Sequence, residues 1–143
     1  MTKRFWTVAL TFIAAMFTFM SCNQTKSSLV LDNTVYTATV NEATYTVILQ
    51  TDGTLSESVS YSDSDGSSTG SLFGSYVYNE EDSFLTFSLT GATENGEDVL
   101  SAFGEDVIGV YSVEKDGSSL TLTCVSGMSF LDPDGSGTSY VKE

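Results

Sequence analysis

The sequence predicts an all-β domain, an antiparallel meander of about eight short strands forming a barrel or a barrel-like sandwich. Three observations carry this. From about residue 34 onward apolar and polar residues alternate with period two, in stretches rich in Thr, Val, Tyr and Phe. Five turn pairs punctuate these stretches: Asp52-Gly53, Asp65-Gly66, Asn95-Gly96, Asp116-Gly117 and Asp134-Gly135. Such pairs supply the positive φ of tight hairpins without steric strain. The single proline, Pro133, falls between the expected strands and interrupts none of them.

Strands are expected at residues 34–41, 43–50, 54–62, 70–78, 83–90, 107–113, 118–125 and 138–142. In the second, Tyr45, Val47 and Leu49 share a face. In the third, Leu55, Val59 and Tyr61 face one way, with Ser56, Ser58 and Ser60 opposite. Glu57 interrupts the apolar face of that strand and is read as the mark of a sheet edge. The stripe Leu85, Phe87, Leu89 defines the fifth strand, Val107, Tyr111, Val113 the sixth, and Leu120, Leu122, Cys124 the seventh. Asn79-Glu80-Glu81-Asp82 is a turn built of acids. Ser62 to Ser71 is rich in Ser, Gly and Asp, and is expected to be a mobile hairpin tip. Val99, Leu100, Ala102 and Phe103 are spaced as in a helix, with acids before them and Gly104 after, so a short helix is expected near 97–103. A segment of fewer than two turns forms only where tertiary packing supports it.

The amino terminus is of a different kind. Lys3 and Arg4 precede an apolar run from Phe5 to Met20 that ends at Ser21-Cys22. A basic start, a core of this length and a small residue before a cut read as a secretory signal. The run is shorter than the roughly 20 residues a membrane-spanning helix needs. The segment Phe19-Met20-Ser21-Cys22 resembles the lipobox of bacterial lipoproteins, with Phe19 where Leu is commonest and Met20 larger than usual. That resemblance implies cleavage before Cys22, a diacylglyceryl thioether on Cys22 and an acylated amino terminus. It gives 1–21 as lipoprotein signal peptide, 22–33 as lipidated cysteine and tether, and 34–143 as a single β domain. Two or three acyl chains hold a domain at a membrane, where one is marginal. Asn23 follows the cysteine, which in the best-known sorting scheme implies the outer membrane. The expected location is therefore the cell envelope, on the periplasmic face or the cell surface.

Charge excludes several classes of function. The full chain carries a formal charge of −14 with no His. After cleavage, Lys26, Lys115 and Lys142 stand against 19 carboxylates, and no Arg remains. Nucleic acid binding rests on neutralising phosphates with Lys and Arg, so no nucleic acid partner is expected. No bidentate Arg clamp is available, and no Ser-His-Asp or Cys-His pair can form. Cys124 is left without a disulfide partner once Cys22 is lipidated, and is read as a buried thiol rather than a nucleophile.

Two acidic segments, Asp63-Ser64-Asp65-Gly66 and Asp132-Pro133-Asp134-Gly135, resemble fragments of a calcium loop. Alignment on either glycine puts Tyr61 or Phe130 at the first ligand position and Leu72 or Val141 at the last. Both fail the pattern, and hairpin turns explain them better. A looser calcium site, with Glu80, Glu81 and Asp82 as further ligands, stays open. Paired carboxylates can cleave glycosidic bonds. Here nearly all acids lie in solvated turns, where no raised pKa is expected. No catalytic residue, cofactor or metal ligand is assigned. Tyr36, Tyr45, Tyr61, Tyr76, Tyr78, Tyr111 and Tyr140 all lie in strands, and spacing leaves open whether they form core or line a binding cavity.

The order Thr51-Asp52-Gly53-Thr54, Gly74-Ser75-Tyr76, Gly109-Val110-Tyr111-Ser112-Val113, Asp116-Gly117-Ser118-Ser119-Leu120-Thr121-Leu122-Thr123 and Tyr140-Val141-Lys142 resembles the small lipocalin-like lipoproteins of Gram-negative bacteria. The likeness spans about residues 43–142. It departs in lacking a Gly-x-Trp at the first strand, since the only Trp is Trp6. The resemblance implies a lipocalin-like barrel with an interior cavity, and no ligand residue is carried over. The expectation is a non-enzymatic envelope lipoprotein, with the membrane as one partner and a small apolar or amphipathic ligand as another. The alternative is an acidic surface module that contacts an envelope or other protein, stabilised by calcium or not.

Overall fold

The computed structural model describes residues 33–143. The expected signal peptide, the expected lipid attachment at Cys22 and the expected tether as far as Asp32 lie outside them. The described chain is an up-and-down antiparallel barrel. Its strands are β1 (Thr34–Val40), β2 (Ala43–Leu49), β3 (Thr54–Asp63), β4 (Gly66–Asn79), β5 (Phe84–Glu94), β7 (Ile108–Asp116), β8 (Ser119–Gly127) and β9 (Thr138–Lys142). A two-residue strand β6 (Glu97–Asp98) folds back onto β5. Each barrel strand pairs with its sequence neighbour, and β1 pairs with β9, which closes eight strands into a ring. Closure leaves no long unpaired edge. Among the described residues the barrel pairings fall within Thr34–Lys142, all of which the chain from Asn23 onward contains.

The alternation seen in the sequence is the inside–outside alternation of the barrel wall. Tyr36, Val47, Leu49, Leu55, Leu85, Phe87, Val113, Leu120, Leu122 and Tyr140 point inward and are buried together. Most belong to the end of the barrel where the chain enters at Thr34 and leaves at Lys142. The 50–53, 80–83 and 117–118 connections close that end. Gly53 has φ 87 and Gly117 φ 57, the left-handed backbone their turns require. In the acidic 80–83 turn, the Asn79 side-chain oxygen accepts from the Glu81 amide, and its Nδ2 donates to Asp82.

Two stretches differ from expectation. The Ser/Gly segment is no mobile tip. β3 runs to Asp63 and β4 starts at Gly66, so a two-residue loop joins a long hairpin. Asp63 fixes that loop by accepting from the amides of Asp65 and Gly66 and from the Tyr61 hydroxyl. Ladder hydrogen bonds need only backbone, so small hydroxyl residues can extend a strand without an apolar signal. Residues 97–104 form β6 and then a 3-10 turn, Leu100–Phe103, rather than an α-helix. Asp98 accepts from the Leu100 amide at its start, and Gly104 with φ 89 ends it.

Candidate ligand cavity

Toward the opposite end the barrel is not filled. A cavity of about 520 Å³ lies between β2, β3 and β4 on one side and the β5–β7 and β8–β9 connections on the other. Its wall includes Tyr45, Val59, Leu72, Phe103, Phe130 and Met128, with Glu57 among them. The volume is within the range of small-molecule sites, roughly 300–1,000 Å³. Room is left because β4 presents Ser68, Gly70 and Ser71 here, where the packed end has Tyr and Leu.

Two β-bulges sit at this end. Register shifts opposite Phe73 and Gly74, where Thr90 is the extra residue, and opposite Val110 and Tyr111, where Val125 is extra. Bulges bend strands and re-aim side chains at barrel rims. Past the first bulge Ala92 is buried, and the extra residue of the second, Val125, is exposed.

The β8–β9 connection forms one wall because three side chains pin it. The Tyr111 hydroxyl donates to the Met128 carbonyl and accepts from the Leu131 amide at 3.4 Å. The Tyr140 hydroxyl donates to the Leu131 carbonyl at 3.0 Å. Leu131 is thereby drawn fully into the core. Gly109 makes the Tyr111 contact possible, since a Cβ there would strike both the Tyr111 ring and the Met128 carbonyl. Asp132 is the third anchor. It is buried, and its carboxylate accepts from the amides of Cys124, Gly135 and Gly137 and from the Thr138 hydroxyl. Phe130 then meets Phe103 edge to face, with centroids 5.4 Å apart. The 3-10 turn is not a buried connector: none of its residues is buried, and Phe103, with Val99 just before it, lines the cavity.

Glu57 is the chemically distinctive group. It faces inward on β3, opposite Val47 on β2 and Leu72 on β4, and is 3 % exposed. The reading of Glu57 as an edge marker is corrected, because β3 lies between two strands of a closed ring. Neither carboxylate oxygen has a hydrogen-bond partner. Burial lifts its pKa from 4.5 to about 8. Its phenolic neighbours register it: the pKa values of Tyr45, Tyr111 and Tyr140 are raised by burial and further by the Glu57 charge. The expectation that no acid here has a raised pKa therefore fails at this one position. Buried polar atoms almost always have partners, and an orphan costs about 1–3 kcal/mol or more.

The tyrosines divide. Tyr36, Tyr76, Tyr111 and Tyr140 are core, and Tyr45 and Tyr61 line the cavity. Cys124 packs against the core but is only half buried, and burial raises its thiol pKa. Asp132, considered above as a calcium ligand, has its carboxylate taken up by protein donors. Among the described residues no group of three or more acids and cysteines is arranged to hold a metal ion. Sequence reasoning missed Glu57 as a site residue. The available signal was an acid on the apolar face of an alternating strand. Comparison with known family models, curated proteins and solved structures gives no match.

Proposed function

We propose that this protein is a lipid-anchored envelope lipoprotein of the lipocalin-like kind, which binds a small amphipathic molecule without transforming it. The supporting observation is the cavity of about 520 Å³ at one end of a closed barrel whose other end is packed solid. Its walls combine aromatic and aliphatic faces with a few polar groups, the usual make-up of a small-molecule site. Binding without catalysis fits the chain's lack of His.

The placement of the termini suits an anchor. The chain joins the barrel at Thr34, at the packed end, and the cavity opens at the other. Twelve residues from Cys22 to Thr34 reach at most roughly 40 Å. A lipid on Cys22 would therefore hold the barrel near the bilayer with its mouth directed away. Attachment is read by intact mass: loss of residues 1–21 and addition of a diacylglyceryl group are expected, and a full-length unmodified chain overturns it.

The binding reading is tested by native mass spectrometry of the chain from Asn23 onward, before and after organic extraction. A small-molecule adduct lost on extraction is expected. An apo mass, together with no uptake of any amphipathic probe, would move attention to the acidic outer surface as a protein contact.

A further inference from the structure

We infer that the ligand is an amphipathic amine, seated with its cationic nitrogen on Glu57 and its apolar body against the aromatic walls toward the mouth. The inference rests on the cavity being a ligand site. It specifies the ligand from the polarity of the walls.

Glu57 has two acceptor oxygens, both buried and both without a donor. An ammonium group carries up to three donors and one positive charge, and supplies what the carboxylate lacks. Position agrees with this. On β3 the next inward residue toward the packed end is Leu55, part of the core. The next toward the mouth are Val59 and Tyr61, both lining the cavity. Glu57 thus lies at the inner end with Leu72 beside it, Tyr45 and Val59 are one step further out, and Phe103 and Phe130 line the cavity with them. Such a gradient seats a ligand head first.

Charge selects the sign of that head. The residues lining the cavity include two acids, Glu57 and Glu94, and no Lys or Arg. The titratable groups whose fields reach Glu57 or its phenolic neighbours are Tyr45 on β2, Tyr111 on β7, Cys124 on β8, Tyr140 on β9 and Asp132 in the β8–β9 connection. None of them can be cationic. Once Glu57 is ionised, a fatty acid anion would meet like charge here, and a neutral alcohol would gain only a hydrogen bond. The surplus of acids over the whole chain also draws cations toward the mouth. An empty Glu57 is mostly protonated at neutral pH, since its pKa is about 8. Binding of an ammonium then sends that proton to solvent.

The test is calorimetric titration of the chain from Asn23 onward with decylamine, decanol and decanoate, three probes that differ only in the head group. At about pH 9, with Glu57 ionised and the amine still charged, decylamine should bind at least about tenfold more tightly than decanol, and decanoate least. Amine affinity should fall about tenfold per pH unit below the Glu57 pKa, while decanol affinity stays level. Glu57→Gln should erase the preference for the amine and retain the alcohol. Equal affinity for amine and alcohol, or an amine preference that survives Glu57→Gln, overturns the inference while leaving a binding cavity in place. Failure of all three probes removes the inference together with the binding reading. Should Glu57→Gln not fold, the pH series on the unaltered chain decides, and amine affinity that is level from about pH 6 to 9 overturns the inference.

Discussion

Tyr140 on β9 donates its hydroxyl to the carbonyl of Leu131, 3.0 Å away inside the barrel. Tyr111 on β7 holds the same loop by its neighbouring groups, the Met128 carbonyl and the Leu131 amide. Two buried phenols thus turn a ten-residue connection into a fixed cavity wall. Tyr111→Phe and Tyr140→Phe keep the ring packing and orphan the backbone groups. Each should cost about 1–3 kcal/mol in urea unfolding. The two share Leu131, so the double variant should cost less or more than the sum of the singles.

Asp132→Ala removes the acceptor for four donors at once, Cys124, Gly135, Gly137 and Thr138. A loss of about 3 kcal/mol or more in urea unfolding is expected. Asp132→Asn should recover only part of it. An amide offers one acceptor oxygen, and its nitrogen would face a donating backbone amide at one end. Because these oxygens are already engaged, the melting temperature should be the same with calcium as with chelator. A rise of several degrees with calcium would show a site formed elsewhere.

Stability should fall as pH rises from about 4.5 to about 8 and level off above that. The Glu57 carboxyl has a folded pKa of about 8 against an ordinary 4.5, so the folded state keeps a proton that the unfolded state gives up. Its contribution is complete below pH 4.5 and is lost as pH rises through about 8, up to about 5 kcal/mol in all. Glu57→Gln and Glu57→Leu should flatten that loss and raise the melting temperature at about pH 9. On the acid side, Asp52 and Asp63 have lowered pKa values, held first by the hydroxyls of Thr54 and Tyr61. Their contribution is present above 3.8 and fades as pH falls through the depressed values. Melting temperatures across the pH range should therefore peak between these limits.

Asn41 and Glu42 form the two-residue loop between β1 and β2, with φ of 49 and 68. Two successive left-handed residues make the turn that matches strand twist. Asn tolerates that backbone, but Glu pays a steric cost. Glu42→Gly should stabilise the barrel by about 0.5–1 kcal/mol in thermal or urea unfolding. An unchanged or lower stability would place the strain elsewhere.

Much of the barrel could be read along the chain. Alternation in β2, β3, β5, β7 and β8 marked the inward residues, and Asp-Gly pairs marked several turns, because a strand's two faces and a turn's backbone are local properties. β4 was read four residues short at its start, since Ser67 to Ser71 carry no apolar side chains for a pattern to show. Asn41-Glu42 lacks the glycine that usually marks such a loop. Both bulges also escaped notice, because a bulge is a mismatch between two strands and has no trace in either alone.

The sequence by itself determined the antiparallel meander and the acidic, histidine-free chemistry. Only the tertiary structure decided that β1 meets β9, and with that closure the meaning of Glu57. At an open edge a carboxylate would reach water and stay charged. β3 already has β2 and β4 beside it through local hairpins; closing the ring sets the other strands across its inner face, water is excluded there, and the same residue becomes a buried acceptor without a donor. That difference rests on a contact between strands about 100 residues apart, which no local pattern encodes.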